Sequence, residues 1–240
     1  MDWPLSRQIV WGIPIPGDPS GDTFDTWFSS GQWPFARLRA GQPDDFKNFY
    51  PTDVMETAGE IIFFWVARMM MLGLYMTKKL PFKTVYLHGL VLDAKGQKMS
   101  KSKGNVINPI ELIDKYGTDA LRIALVVGNT PGTSLALDEN KIKGYKNFAN
   151  KIWNASRFVM MNTQDYSPAK VKLSVAQKQY LKDLQNLVKE TTKLMDDYKF
   201  YIAGEKIYHY FWHEFCDKIL EESKPAFAQG SGEARATQYM

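Results

Sequence analysis

The sequence has little of what cross-links a chain or holds a metal. A single cysteine, Cys216, stands among 240 residues. That excludes an internal disulfide framework and a Cys-rich zinc site. Three histidines, His88, His209 and His213, leave little for metal chemistry, so no protein-bound metal is expected. The strongest unbroken apolar run, residues 61–66, is far shorter than the ~20 residues of a membrane span. The start, Met1-Asp2-Trp3-Pro4, lacks a basic stretch followed by an apolar one. No secretory leader and no membrane partner are therefore expected, and the cytoplasm is the default. Internal repeats and low-complexity tracts are also missing.

What is present reads as globular. Hydrophobic residues make up 45% and charged residues 23%, close to the average for folded domains. Aromatics reach 14%, including seven tryptophans, enough for a sizeable core. The length suits one or two domains of about 100–200 residues. Lys and Arg exceed Asp and Glu by 30 to 26, a net +4, weighted slightly to the C-terminal part. Such a balance is compatible with a polyanionic partner without requiring one.

The composition shifts along the chain. Residues 1–52 hold over half of the twelve prolines and read as loops and short strands. Residues 59–76 read as an apolar, largely buried helix. Residues 82–92 are rich in β-formers and read as a strand. Two helices are expected at 109–116 and 118–127, one opened by Pro109 and one capped by Thr118 or Asp119. From Asp138 the apolar spacing turns helical, over 138–161, 174–198 and 200–222. Residues 162–172 read as a linker, and Gly230-Ser231-Gly232 opens a tail. The expected architecture is an α/β part, 1–137, followed by a helical part, 138–240.

The most informative stretch is Asp93-Ala94-Lys95-Gly96-Gln97-Lys98-Met99-Ser100-Lys101-Ser102-Lys103-Gly104-Asn105. Four lysines fall within nine residues, and Gly96 and Gly104 bracket three of them. A strand is expected before it and a helix after it. Such a loop suits a triphosphate, with ammonium groups as mobile point charges. Charge that builds on a leaving pyrophosphate would be stabilised there. A solvated surface loop is the plainer alternative from charge alone.

The order Lys98-Met99-Ser100-Lys101-Ser102 is the KMSKS signature, and the chain resembles the class I aminoacyl-tRNA synthetases. Within them it is most similar to the valyl branch. The resemblance extends through Ser6-Arg7-Gln8, residues 25–31, 49–53, 61–69, His88-Gly89-Leu90-Val91, 117–122 and 212–217. Isoleucyl enzymes differ at residues 25–31 and carry a more polar block where this chain has residues 60–65. The resemblance implies a partial Rossmann-like parallel sheet followed by an α-helical anticodon-binding bundle. It implies ATP-dependent activation of valine, with Mg2+ accompanying ATP, and transfer to valine tRNA.

Residue roles follow from the same resemblance. Lys98 and Lys101 would stabilise the phosphates in the transition state, and Met99 and Ser100 would face the adenine. His88 and Gly89 would lie at a strand end beside ATP. Glu60, after Thr57-Ala58-Gly59, would accept from the ribose hydroxyls, although the family more often has Asp there. Trp27 and Trp65 would wall the valine pocket. Lys141, Lys143, Lys146, Lys151 and Arg157 would meet tRNA phosphates. Each has a structural alternative: a strand-end imidazole held by backbone, a helix-start carboxylate favoured by the dipole, core tryptophans and a solvated helix face.

The family's second signature, His-Ile-Gly-His, is missing, as is the editing insertion, and residues 17–21 stand where valyl enzymes carry tens of residues. The expectation is a fragment that is inactive or very weak alone and needs the missing N-terminal half. An isoleucyl fragment and a non-catalytic tRNA-binding or assembly module are the alternatives.

Overall fold

A computed structural model describes residues 2–164 and 172–229. Most of the expected linker and the whole Gly-Ser-Gly tail lie outside the described residues. The chain divides into two compact units, Met1–Leu90 with Pro131–Ser134, and Val91–Thr130 with Leu135–Met240.

In the first unit β1 (Ser6–Arg7) pairs antiparallel with β2 (Thr23–Phe24). The joint between them is an ordered turn. Ile15 donates to the Asp22 carbonyl at 3.0 Å, and the Ser20 hydroxyl donates to Asp18 at 2.7 Å. Three short helices follow, α1 (Thr26–Gly31), α2 (Trp33–Arg39) and α3 (Asp45–Phe49). They correct the expectation of loops and strands up to residue 52. Helices of five to seven residues are too short to show a period. Pro34 is no obstacle, because it stands in the first turn of α2, where no N–H partner is lost.

β3 (Thr52–Ala58) runs into a continuous helical stretch, and β4 (Phe82–His88) returns parallel to β3. The register runs from Thr52 opposite Phe82 to Ala58 opposite His88. The stretch between them is a 3₁₀ turn (Gly59–Ile61), a π segment (Ile62–Val66) and α4 (Ala67–Thr77). Such a helical crossover is what two adjacent parallel strands require.

The helix is not largely buried, contrary to expectation. Val66, Met69 and Phe82 form a buried cluster on one side. Phe63, Met71 and Tyr75 are exposed at 71%, 54% and 75%. Gly59–Thr77 meets the length and composition of a membrane span, although it contains Arg68. Counting only unbroken apolar residues passed over it. A core helix meets the same test, and Val66 and Met69 are core residues.

The strand expected through residue 92 stops at His88. β5 (Val91–Leu92) lies in the second unit and pairs parallel with β6 (Leu135–Ala136). After the lysine loop come α5 (Pro109–Tyr116), α6 (Thr118–Val126), α7 (Glu139–Asn162), α8 (Val175–Asp196) and α9 (Phe200–His209). A π segment (Tyr210–Leu220) and α10 (Glu221–Gln229) continue α9. The caps explain the starts. Asn108 accepts from the Ile110 amide ahead of Pro109, Asp138 accepts from Asn140, and Ser174 with Gln177 forms a capping box. The α6 N-cap is Gly117, and Thr118 is already helical, which corrects the expected cap. Leu112, Ala120, Leu121, Ala124, Leu137 and Ile142 weld α5, α6 and α7 into one core. Cys216 is buried with Ala155 and Leu220, and burial raises its thiol pKa.

Candidate functional site

The lysine loop is tied at its base by two side chains. The Asp93 carboxylate accepts from the amides of Lys95 at 2.9 Å and Gln97 at 2.8 Å. Asn105 donates to the other oxygen of Asp93 at 2.9 Å and to the Lys98 carbonyl at 3.3 Å. Its own oxygen accepts from the Ser100 amide at 2.9 Å. Gly96 and Gly104 both have positive φ, 74° and 66°, which glycine adopts without steric cost. Within this frame Lys98 and Lys101 are exposed. Met99 turns its sulfur to the Ile107 amide at 3.5 Å. The Ser100 and Ser102 hydroxyls are 2.6 Å apart. The loop therefore presents ammonium groups outward from a fixed base. Asp93 and Asn105 were not among the expected site residues. No local pattern couples two residues twelve positions apart.

In the first unit Thr57, Glu60, His88 and Gly89 gather at the carboxyl ends of β3 and β4, since Thr57 pairs with Leu87 and Ala58 with His88. Ligands of open α/β sheets collect at such ends. Thr57 is buried at 3%, whereas Glu60 is exposed in the 3₁₀ turn. His88 lies 2.9 Å from the Gly89 carbonyl through Nδ1 and 3.4 Å from Glu56 through Nε2. Glu56 is thus a further member of this group that sequence reading missed. A Cβ on Gly89 would overlap the Thr133 backbone, so Gly89 has a packing reason of its own.

Trp27 and Trp65 take different surroundings. Trp27 lies against Phe64, ring centroids 6.1 Å apart. Trp65 donates to the Ser30 carbonyl at 3.4 Å and lines a cavity of about 650 Å³ with Trp33, Phe49, Met69 and Phe82. Trp27 does not line that cavity.

The five cations of α7 divide. Lys141 donates to the Val127 carbonyl at 2.9 Å, and burial lowers its pKa. Lys151 pairs with Asp217 at 2.6 Å and covers the Trp212 ring at 4.3 Å. That bond to Lys151 is the main reason the Asp217 pKa is lowered. Lys146 donates to the Lys115 carbonyl at 3.1 Å. Lys143 and Arg157 are exposed.

Comparison with known proteins agrees with this layout. Residues 19–138 match the family model for tRNA synthetases class I (I, L, M and V). Residues 177–240 match the anticodon-binding domain of tRNA ligase. A valine–tRNA ligase of Syntrophotalea carbinolica is 44% identical over 258 residues, covering 93% of this chain and 28% of that protein. Another, from Nitratidesulfovibrio vulgaris, is 43% identical over 270 residues, covering 98% of this chain and 30% of that protein. The chain thus spans under a third of these relatives. Both matched stretches exceed the 240 residues of the chain, so the relatives carry internal residues that it lacks. A Mycobacterium tuberculosis methionyl-tRNA synthetase in complex with methionyl-adenylate shares the fold at a TM-score of 0.79 and 25% identity. It covers 98% of this chain and 48% of that one. A LeuRS–tRNA–LeuAMS complex from Agrobacterium radiobacter K84 gives 0.72 at 17% identity, over 98% of this chain and 30% of that one.

Proposed function

This chain belongs to the class I tRNA synthetase family, and on that premise we propose that it is a portion of a valine–tRNA ligase. The observation that carries this reading is the lysine loop, fastened by Asp93 and Asn105, inside the segment that matches the family. Class I synthetases bind ATP. The reaction proposed is attack of the valine carboxylate on the α-phosphate of ATP, giving valyl-adenylate and pyrophosphate. Transfer of the valyl group to valine tRNA follows.

Lys98 and Lys101 stabilise the negative charge that grows on the pyrophosphate as the bond to it breaks. Met99 and Ser100 hold the loop backbone toward the adenine. Thr57, Glu60, His88 and Gly89 receive the ribose and phosphates at the strand ends. Trp27 and Trp65 limit the size of the amino-acid side chain. One methylene discriminates by only ~1–3 kcal/mol, so a separate editing step suits this chemistry. Mg2+ enters with ATP as part of the substrate. Of the five α7 cations, the exposed Lys143, Lys146 and Arg157 are the tRNA contacts of this reading, since Lys141 and Lys151 are engaged with the Val127 carbonyl and Asp217, and the cytoplasm is its setting.

The isolated chain is expected to bind ATP weakly and to show no valine-dependent exchange of pyrophosphate into ATP. Lys98→Ala with Lys101→Ala removes the ATP binding. Robust exchange by the chain alone would overturn the need for the remaining length of the family's protein. Unchanged ATP binding in the double variant would overturn the role of the loop. The exposed cations of α7 favour a second reading, a non-catalytic tRNA-binding module, which predicts tRNA binding and no response to ATP. Adenylate analogues of valine and isoleucine separate the valine reading from the isoleucine one.

A further inference from the structure

Two of the three histidines, His209 and His213, stand four residues apart, a spacing that puts side chains on one helix face. His209 ends α9, and His213 lies inside the π segment that continues it. Such segments are rare and frequently mark functional sites. Both side chains are exposed. Their rings lie side by side, centroids 5.6 Å apart and planes inclined by 33°. A low histidine count hides this juxtaposition.

The pair is held from behind. His213 Nδ1 is 3.4 Å from Asp217 Oδ2. The other oxygen of Asp217 pairs with Lys151 at 2.6 Å, which fixes the carboxylate in place. A proton on Nδ1 directed at that carboxylate leaves the Nε2 lone pair available to a metal ion. The His209 ring contacts Tyr208 and His213, and its nitrogens make no hydrogen bond among the described residues. Both histidines border a groove of about 560 Å³ lined also by Leu187, Glu205, Lys206 and Glu214. The Lys206 ammonium is tied to Glu190 at 3.0 Å, and Lys218 stands 3.8 Å from Glu214. Glu205 adds a further carboxylate, so the field of the groove favours a cation.

Two imidazoles that share one ion at ~2.0–2.1 Å have ring centroids about 5 Å apart at a tetrahedral angle. The 5.6 Å seen here lies within a small side-chain adjustment of that spacing. Neutral imidazole suits zinc, copper and nickel, whereas magnesium prefers oxygen ligands. Among the described residues no group of three or more such ligands converges, so water completes the coordination shell.

We infer that His209 and His213 form a two-imidazole site for a divalent transition-metal ion of the Zn2+ class, with Asp217 orienting His213. The ion ties the last turn of α9 to the π segment. This site takes no part in the proposed reaction and does not rest on it.

The test is calorimetric titration of the full chain, free of any affinity tag, with Zn2+ alone, while the imidazole nitrogen signals are followed by NMR. One ion per chain is expected, with shifts at the nitrogens of His209 and His213. His209→Ala or His213→Ala should each weaken binding about 100-fold, because the second contact to the ion is intramolecular. Asp217→Asn should weaken it about 10- to 100-fold. Mg2+ should neither bind there nor compete. Zn2+ should raise the thermal midpoint of the parent and leave that of the double histidine variant unchanged. Circular dichroism checks that each variant is folded. Parent-like Zn2+ affinity in either single histidine variant overturns the inference, as does a parent that binds no Zn2+. One ion per two chains overturns it in favour of a metal bridge between copies. None of these results touches the lysine loop, whose ATP binding is read separately, so the proposed function stands or falls on its own test.

Discussion

Asp93 accepts hydrogen bonds from Asn105 and from the Gln97 and Lys95 amides, and these bonds lower its pKa, the Asn105 bond contributing most. The sign of the pH dependence follows. A carboxyl group with a depressed folded pKa stabilises the loop base fully above its unfolded value, near 3.9. That contribution fades as pH falls through the lower folded value. The Lys95 and Gln97 amides should therefore keep their protection against hydrogen exchange at neutral pH and lose it in acid, below about pH 4. Asn105→Ala should raise exchange at Ser100 about tenfold at neutral pH, as for a net hydrogen bond of ~1.4 kcal/mol. Equal exchange in the variant and the parent would exclude the clasp. At this scale the signature lysines were legible, because their order along the chain is itself the signal. The Asp93–Asn105 bond was not, since it forms only when the loop closes on its own base.

Among the elements, the two ends of β4 behave differently. Its start is set by local β-formers, and its end is set by Gly89, against which the returning segment Pro131–Ser134 packs. Gly132 donates to the Leu87 carbonyl at 2.8 Å. A methyl group at Gly89 meets the Thr133 carbonyl, a backbone group that has no rotamer to change. Gly89→Ala should therefore destabilise the fold by ~1–3 kcal/mol or more, seen as a lower midpoint in urea. A midpoint equal to the parent would show that the backbone yields there. Long helices were readable from their period, and the structure adds the caps Asp138 and Ser174 at two of their starts. The short helices α1 to α3 were not, because fewer than two turns leave no period to read.

On the scale of the whole molecule, the exposed apolar side of Gly59–Thr77 is the main departure from expectation. Phe63, Met71 and Tyr75 lie at the surface of the first unit, and contiguous apolar surface of this kind favours association. The chain should self-associate as its concentration rises, and Phe63→Lys with Tyr75→Lys should suppress this in light scattering. Scattering that does not depend on concentration in the parent would contradict the exposure. The sequence by itself determined the α/β-then-helical order, the helix periods of the second part and the signature loop. Each of these is written in neighbouring residues, through hydrophobic period, caps and residue order. Tertiary structure alone decided that the β4 strand ends at His88, just before Gly89, and that Asp93 holds Asn105. It also decided that Lys141 and Lys151 are engaged by the Val127 carbonyl and Asp217 while Lys143 and Arg157 face solvent. All of these depend on which distant backbone or carboxylate arrives within reach, and that is a property of packing rather than of sequence spacing.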